Sequence, residues 1–141
     1  MPVAAYIPIV TTLFSAYFLT LIYRHWRKKP EAMYLMWWTI GVLTYGVGTL
    51  VESAHTLGGW SPFIFKTWYI AGAFLGGVPL AQGTIYLLMK RKTADILTTI
   101  LVFVLVISSL LVLLSPLDVS LVGDKLNGNV LEWSFIRLIT P

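Results

Sequence analysis

Four long runs of apolar residues, separated by short polar or basic stretches, dominate the sequence. They cover about residues 4–23, 34–57, 63–89 and 96–114. A bilayer core requires about 20 mainly apolar residues per spanning helix, and each run meets that length. Because an α-helix satisfies its own backbone hydrogen bonds in lipid, the pattern predicts an all-α integral membrane bundle of four transmembrane helices, with residues 1–141 forming one domain.

Basic residues concentrate in two of the segments that connect these runs. Seven of the ten lie in the first and third loops: Arg24, Arg27, Lys28, Lys29, Lys90, Arg91 and Lys92. Because short basic loops stay on the cytoplasmic side, this pattern predicts a bacterial-type cytoplasmic (inner) membrane protein with both termini outside. The same clusters suit the headgroups of anionic lipids. The first run has no basic stretch before it, so we expect an uncleaved helix and not a signal peptide.

Residues 115–141 predict an outer polar loop followed by a short interfacial segment. Pro116 ends the fourth helix because proline has no N–H to donate. A turn-rich stretch follows, and residues 130–139 then become apolar again. With Glu132 and Arg137 this last stretch is too short and too charged to span a bilayer. We expect it to lie as a helix in the outer interface; the start of a further element is the alternative.

The composition supports a membrane location and narrows the possible functions. Hydrophobic residues make up 57% of the chain and charged residues 11%, against about 25% charged in ordinary soluble domains. This excludes a soluble enzyme and a free nucleic-acid binder. The chain has no cysteine, which excludes disulfides and thiolate metal sites. No P-loop, H-E-x-x-H or G-x-S-x-G motif occurs in the sequence, so we do not expect an enzyme.

Small residues recur at helical spacing in the second and third runs. One face of the second run carries Gly41, Thr44, Gly48, Glu52 and His55, and one face of the third carries Gly72, Gly76, Pro79 and Gly83. Such small-xxx-small patterns let two transmembrane backbones approach closely. Two interpretations remain open. The stripes pack on each other or on a partner helix, or they leave a groove for a lipid tail, a quinone or a pigment.

Glu52 and His55 are the candidate chemical residues of the second run. A carboxylate inside a membrane is costly, so it is by default a candidate functional residue. Counted from Tyr34 at about 1.5 Å per residue, however, Glu52 lies roughly 27 Å along the helix, close to the outer surface. Lys66, at the start of the third run, is therefore the predicted ion-pair partner of Glu52. A proton or cation site formed by Glu52 and His55 is the alternative.

The two histidines limit the cofactors that this chain could bind. Glu52-x-x-His55 has the spacing found in di-iron carboxylate bundles, but three glutamates in the whole chain are too few for such a site. His25 and His55 fall at opposite ends of the predicted bundle, so one haem cannot reach both. A single-ligand haem or a chlorophyll-type pigment would need only His55, or His25 at the inner edge. The cofactor itself stays unknown.

Part of the chain is similar to known membrane proteins. Residues 52–90, with the loop Gly58-Gly59-Trp60-Ser61-Pro62, the Trp68-Tyr69 pair and the stretch 82–88, resemble uncharacterised multispanning bacterial membrane proteins. Those proteins have more than four helices. The resemblance covers about half of the chain and implies a polytopic bacterial membrane protein in a shortened or truncated form. It implies no activity and no functional residue.

These observations predict a non-catalytic accessory or structural subunit of a larger membrane complex. It would contact membrane lipids and a membrane-protein partner, or a second copy of itself, through its glycine-lined second and third helices. The alternative is a small oligomeric ion or metabolite transporter or channel that uses Glu52 and His55. A third hypothesis is a membrane sensor module separated from its output domain. No nucleic-acid partner is expected.

Overall fold

The structure is a bundle of antiparallel helices. This computed structural model describes residues 6–122, 126–133 and 135–136. Its main elements are α1 (Ile7–Lys28), α2 (Met33–Gly58), α3 (Pro62–Trp68), a π-helical segment (Tyr69–Phe74), α4 (Val78–Leu88) and α5 (Arg91–Leu114). The stretch from α3 to α4 forms one span, so four helical segments are long and apolar enough to cross a membrane. The predicted all-α bundle with four spans is confirmed.

Two helices extend further into the basic loops than the apolar runs indicated. α1 continues to Lys28 and α5 already begins at Arg91. Lysine and arginine are good helix formers, and their long side chains reach water from a helix that protrudes from the hydrocarbon. Bilayer thickness therefore sets the length of the apolar run, whereas the helix itself extends beyond it. The predicted helix start at Ala4 lies outside the described residues.

Successive spans run in opposite directions. The pairs of residues that meet between them are Thr12 with Thr49, Ser15 with Gly46, Gly41 with Leu80, Gly48 with Gly72, Gln82 with Thr98, and Tyr86 with Asp95. In each pair of spans the residue number rises on one helix as it falls on its neighbour. The two basic loops, α1–α2 and α4–α5, consequently lie at the same end of the bundle.

The central helix of the bundle is α2, which packs against α1 and against the third span. It buries nine residues: Leu35, Trp37, Thr39, Gly41, Val42, Gly48, Thr49, Ser53 and His55. By contrast, the described part of α1 buries only Ser15. Near the start of α1, Thr12 Oγ1 lies 3.0 Å from Thr49 Oγ1 and 3.5 Å from Ser53 Oγ. Hydroxyl contacts therefore help to hold α1 on α2.

The backbones of α2 and the third span touch at Gly48 and Gly72. A Cβ atom built on Gly48 would overlap the Cα of Gly72 and would lie 3.0 Å from its backbone nitrogen. Lipid tails are as apolar as leucine, so membrane helices associate through close packing and interhelical hydrogen bonds. Because both positions are glycine, this approach is possible, and it sets the distance between the two helices.

The third span is not the continuous helix that the sequence predicted over 63–89. It widens into the π-helical segment, where Leu75 N donates to Ile70 O at 2.8 Å, five residues earlier, and it turns before α4 begins. Gly76, Gly77 and Pro79 lie at this break. Glycine allows the irregular turn, and proline has no N–H for the carbonyl four residues earlier. Irregular backbone at membrane depth is tolerated where protein covers it, and here α2 does so.

The segment after α5 folds back onto the end of the bundle. Leu117 and Leu131 form an isolated antiparallel bridge, and two short 3₁₀ turns span Val119–Leu121 and Gly128–Val130. Three of its residues are buried with side chains of the third span and α5: Val130, Leu131 and Ile136, against Phe65, Tyr69 and Val112. The described residues 126–133 thus form a packed cap on the end of the bundle, while the interfacial helix expected over residues 130–139 falls in part on residues that the structure does not describe. Ser134 and residues 137–141, with Arg137, lie outside the described residues.

The Gly48–Gly72 contact predicts a large effect of one added methyl group. Gly48→Ala must push the two backbones apart, and we expect it to lower the free energy of unfolding by about 1–3 kcal/mol. Gly58→Ala is the matched control, because a Cβ on Gly58 meets no atom within 4 Å. Thermal unfolding of both variants in the same detergent measures the difference. Equal melting temperatures for the two variants would contradict a backbone contact at Gly48.

Candidate functional site

Glu52 and His55 lie near the end of α2 that is remote from the basic loops. Glu52 is half-buried, whereas His55 is buried with 9% of its surface exposed. The Nδ1 atom of His55 is shielded from solvent and has no hydrogen-bond partner among the described residues. No hydrogen bond or ion pair joins the two side chains within this part of the chain. They share a region of α2 without forming a coupled pair.

Lys66 contacts the end of α5 and not Glu52. Its ammonium group donates a hydrogen bond to the carbonyl oxygen of Leu113. The last carbonyls of a helix have no partner within the helix, and a positive charge is favourable at that end. Among the residues that the structure describes, the one ion pair joins Arg91 and Asp95 at 4.0 Å. The predicted Glu52–Lys66 pair is therefore not brought together, and Lys66 instead ties α3 to α5.

The other glycines of the predicted stripes are also covered by protein atoms. A Cβ on Gly41 would lie 2.7 Å from Leu80 Cδ2, and one on Gly83 would lie 2.6 Å from Trp38 Nε1. A Cβ on Gly76 would overlap the carbonyl oxygen of Gly72 in its own span. At Gly41, Gly48, Gly72 and Gly83 the two spans thus fill each other's glycine faces, whereas Gly76 is closed off by the backbone of its own span.

Side chains of α2 hydrogen-bond to the backbone of the broken third span. Thr44 Oγ1 lies 3.1 Å from the carbonyl oxygen of Leu75, the carbonyl that Pro79 cannot serve. Trp38 Nε1 donates to the carbonyl oxygen of Leu80 at 3.2 Å. An unsatisfied backbone group in hydrocarbon costs several kcal/mol, roughly. The Thr44 hydroxyl thus lies within reach of three backbone carbonyl oxygens, those of Ile40 and Gly41 in its own helix and that of Leu75, and needs no separate ligand as an acceptor.

A hydrogen-bonded chain that sequence reasoning did not assemble joins α4 to α5. Gln82, only 2% exposed, donates from Nε2 to Thr98 Oγ1 at 2.7 Å and to Ala94 O at 3.3 Å. Thr98 donates to the Tyr86 hydroxyl at 3.0 Å, which donates to Asp95 Oδ1 at 2.6 Å. A glutamine within an apolar run indicates that a polar contact is present. It does not identify the partners of Gln82, because they lie on another helix.

Two apolar grooves open on the surface, and neither includes Glu52, His55 or a glycine of the stripes. The α1–α2 groove, of about 400 Å³, is lined by Leu19, Thr20, Tyr23, Trp26, Thr39, Ile40 and Leu43. The α5 groove, of about 390 Å³, is lined by Leu75, Val102, Leu105, Val106, Ser109, Leu110 and Leu113. One groove therefore lies between α1 and α2 and the other beside α5, and the residues that line them include no glycine of the stripes.

The predicted ligand histidine, His55, lies outside both of these grooves. A haem or pigment needs an apolar cavity next to its axial ligand, and His55 lines neither groove. His25 is exposed in the last turn of α1. The described residues contain no group of three or more histidine, aspartate or glutamate side chains that could hold a metal ion. The unpaired Nδ1 of His55 and the unpaired indole nitrogen of Trp60 are the features of this region that packing does not explain.

The seven basic side chains of the two loops are exposed at one end of the bundle. The described α1–α2 connection carries one acidic residue, Glu31, against four basic residues at the end of α1. Arg91 has a carboxylate neighbour in Asp95, but such an exposed pair contributes little to stability. This end of the bundle is therefore strongly positive.

Comparisons of the chain with protein-family models, with curated proteins and with solved structures find no match.

The Gln82 contacts predict that this residue stabilises the α4–α5 pair. Gln82→Leu has a similar size but leaves the Thr98 hydroxyl and the Ala94 carbonyl without their donor. We expect the free energy of unfolding to fall by about 1–2 kcal/mol. Thr84→Val, on an exposed face of the same helix, is the control. Thermal unfolding in detergent checks both, and a Gln82→Leu variant as stable as the control would show that the contacts contribute nothing.

Proposed function

We propose that this protein is a non-catalytic accessory subunit of a larger membrane complex and that it docks on its partner through α5. The observation that carries this proposal is the weak attachment of α5. It is the most apolar of the four spans, yet it packs against α4 and the π-helical segment at few positions and buries only Ala94, Ser108 and Val112, whereas α1, which buries only Ser15, packs extensively along α2. Gln82 and Lys66 fasten it near its two ends.

The middle of α5 provides a suitable surface for a partner helix. The α5 groove lies between this helix and the break in the third span, at Leu75, and its lining is apolar apart from Ser109. Side chains of a second helix that enter such a groove gain the close packing that drives association in lipid. The glycine faces of α2 and the third span are already occupied within the chain. The proposed docking surface is therefore α5 and not those faces.

The proposed location is a bacterial-type cytoplasmic membrane with both termini outside. What supports it is the placement of both basic loops at one end of the bundle, with seven of the ten basic residues of the chain. Lysine and arginine in short loops remain on the cytoplasmic side.

Blocking the α5 groove tests the docking proposal. Val106 is 53% exposed on the groove, so Val106→Trp fills that space without entering the core. We expect wild-type protein extracted in mild detergent to migrate with a partner chain on a native gel. Val106→Trp should lower the partner recovered in that band at least fivefold, as measured by mass spectrometry.

Leu13→Trp is the matched control, since Leu13 is 68% exposed on α1 and lines neither groove. It should leave the complex intact. Migration of the wild-type protein alone would contradict the accessory-subunit proposal, and a small homo-oligomer would contradict a heteromeric partner. Equal losses in both variants would contradict docking through α5.

A second candidate function is a small oligomeric transporter or channel that uses Glu52 and His55. Two observations favour it: the unpaired, buried Nδ1 of His55 and the interrupted helix of the third span. Buried polar groups without partners are uncommon in native proteins, and discontinuous helices in transporters line substrate sites. Against it, Glu52 and His55 are not hydrogen-bonded to each other, and neither lines a groove.

A flux measurement separates this candidate from a structural role for Glu52. In proteoliposomes, a transporter predicts that Glu52→Gln abolishes proton or cation flux while the melting temperature stays unchanged. Glu31→Gln, in the exposed α1–α2 connection, is the control for loss of one carboxylate. Absence of flux in the wild type, or a lower melting temperature as the sole effect of Glu52→Gln, would reject the transporter.

A further inference from the structure

The α1–α2 groove runs into the positive end of the bundle. On α1 it extends from Leu19 to Trp26, about 10 Å at 1.5 Å per residue, and Arg27 follows directly. Its opposite wall is the first half of α2, from Thr39 to Leu43. One end of the groove therefore lies at the level of the basic loop, and the other lies within the apolar part of the span.

Arg27 is held over one wall of this groove. Its guanidinium carbon lies 5.9 Å from the centre of the Tyr23 ring, and its Nη1 donates to the Tyr23 hydroxyl at 3.3 Å. Tyr23 itself lines the groove. Guanidinium groups form planar, paired hydrogen bonds with phosphate oxygens, and an aromatic contact fixes their orientation. Arg27 is thus positioned at the mouth of an apolar groove.

Trp26 adds an unused hydrogen-bond donor to the same wall. It lines the groove, and its indole N–H is shielded from solvent with no acceptor among the described residues. Tryptophan at a membrane interface typically keeps its ring in the apolar region and directs its N–H to a polar atom. The indole N–H of Trp26 is therefore a donor beside the groove that no described residue satisfies.

We infer that the α1–α2 groove is a binding site for one anionic phospholipid from the leaflet at the basic end of the bundle. The apolar lining of the groove suits a hydrocarbon chain, and its positive mouth suits an anion. Arg24, Lys28 and Lys29 add to the positive charge at the mouth, against the single carboxylate of Glu31. One molecule that carries both chemistries is a phospholipid with a negative headgroup. The acyl chain lies between α1 and α2, and the phosphate contacts Arg27. This site is separate from the α5 groove and does not depend on the accessory-subunit proposal.

Native mass spectrometry of the full purified chain, titrated in detergent with phosphatidylglycerol or phosphatidylcholine of the same acyl chains, tests the site. We expect one phosphatidylglycerol to bind about fivefold more tightly than phosphatidylcholine. Arg27→Gln should remove that preference, since one cation near the surface contributes about a fivefold change. Arg27→Lys keeps the charge and should retain most of it. Arg27 is exposed, so neither change alters the core.

The groove is tested by Leu43→Trp, which fills it from an α2 position that is 48% exposed. Binding of phosphatidylglycerol should weaken at least fivefold. Leu110→Trp, in the α5 groove, and Arg91→Gln, in the other basic loop, are the matched controls and should leave binding unchanged. Equal effects of Arg27→Gln and Arg91→Gln would show diffuse surface charge, and equal affinity for both lipids would show an unselective groove. Either result, or normal binding in Leu43→Trp, overturns the site.

Discussion

The approach of the α2 backbone to the third span at Gly48 and Gly72 is the constraint on which the rest of the structure depends. In lipid no hydrophobic force draws two apolar helices together, so contact distance and hydrogen bonds decide how they pack. With glycine on both sides, the two backbones touch and α2 becomes the buried centre of the bundle. This contact also occupies the small-residue faces, so these faces are not free for a partner helix.

The close approach places side chains of α2 against an interrupted helix. Thr44 lies within hydrogen-bond distance of the Leu75 carbonyl oxygen at the break, and Trp38 donates to the Leu80 carbonyl oxygen in α4, so both side chains support the backbone of this span. Gln82 has a comparable role between α4 and α5. Once these are assigned, four buried polar atoms of the described residues remain without a hydrogen-bond partner: the indole nitrogens of Trp26, Trp37 and Trp60, and Nδ1 of His55.

The sequence predicts the spans well because apolar length alone defines a membrane helix. Glycine spacing also points to a face of α2 that packs closely. The partner of Lys66 could not be predicted in this way, because Leu113 lies 47 residues away and helical spacing gives no information on such a distant contact. The turn-rich sequence of the tail likewise does not indicate that Val130 and Leu131 pack against the third span. Local patterns thus give the elements, whereas the candidate site depends on contacts between them.

Site-specific photo-crosslinking in native membranes tests most directly whether α5 faces a partner chain. Photoreactive residues are placed at Leu105 and Val106, in the α5 groove, and at Leu50, which is exposed on α2 outside either groove. The proposed docking surface predicts an adduct with one other protein from the two α5 positions and none from Leu50. Lipid adducts alone from α5, or a protein adduct from Leu50 only, would contradict it.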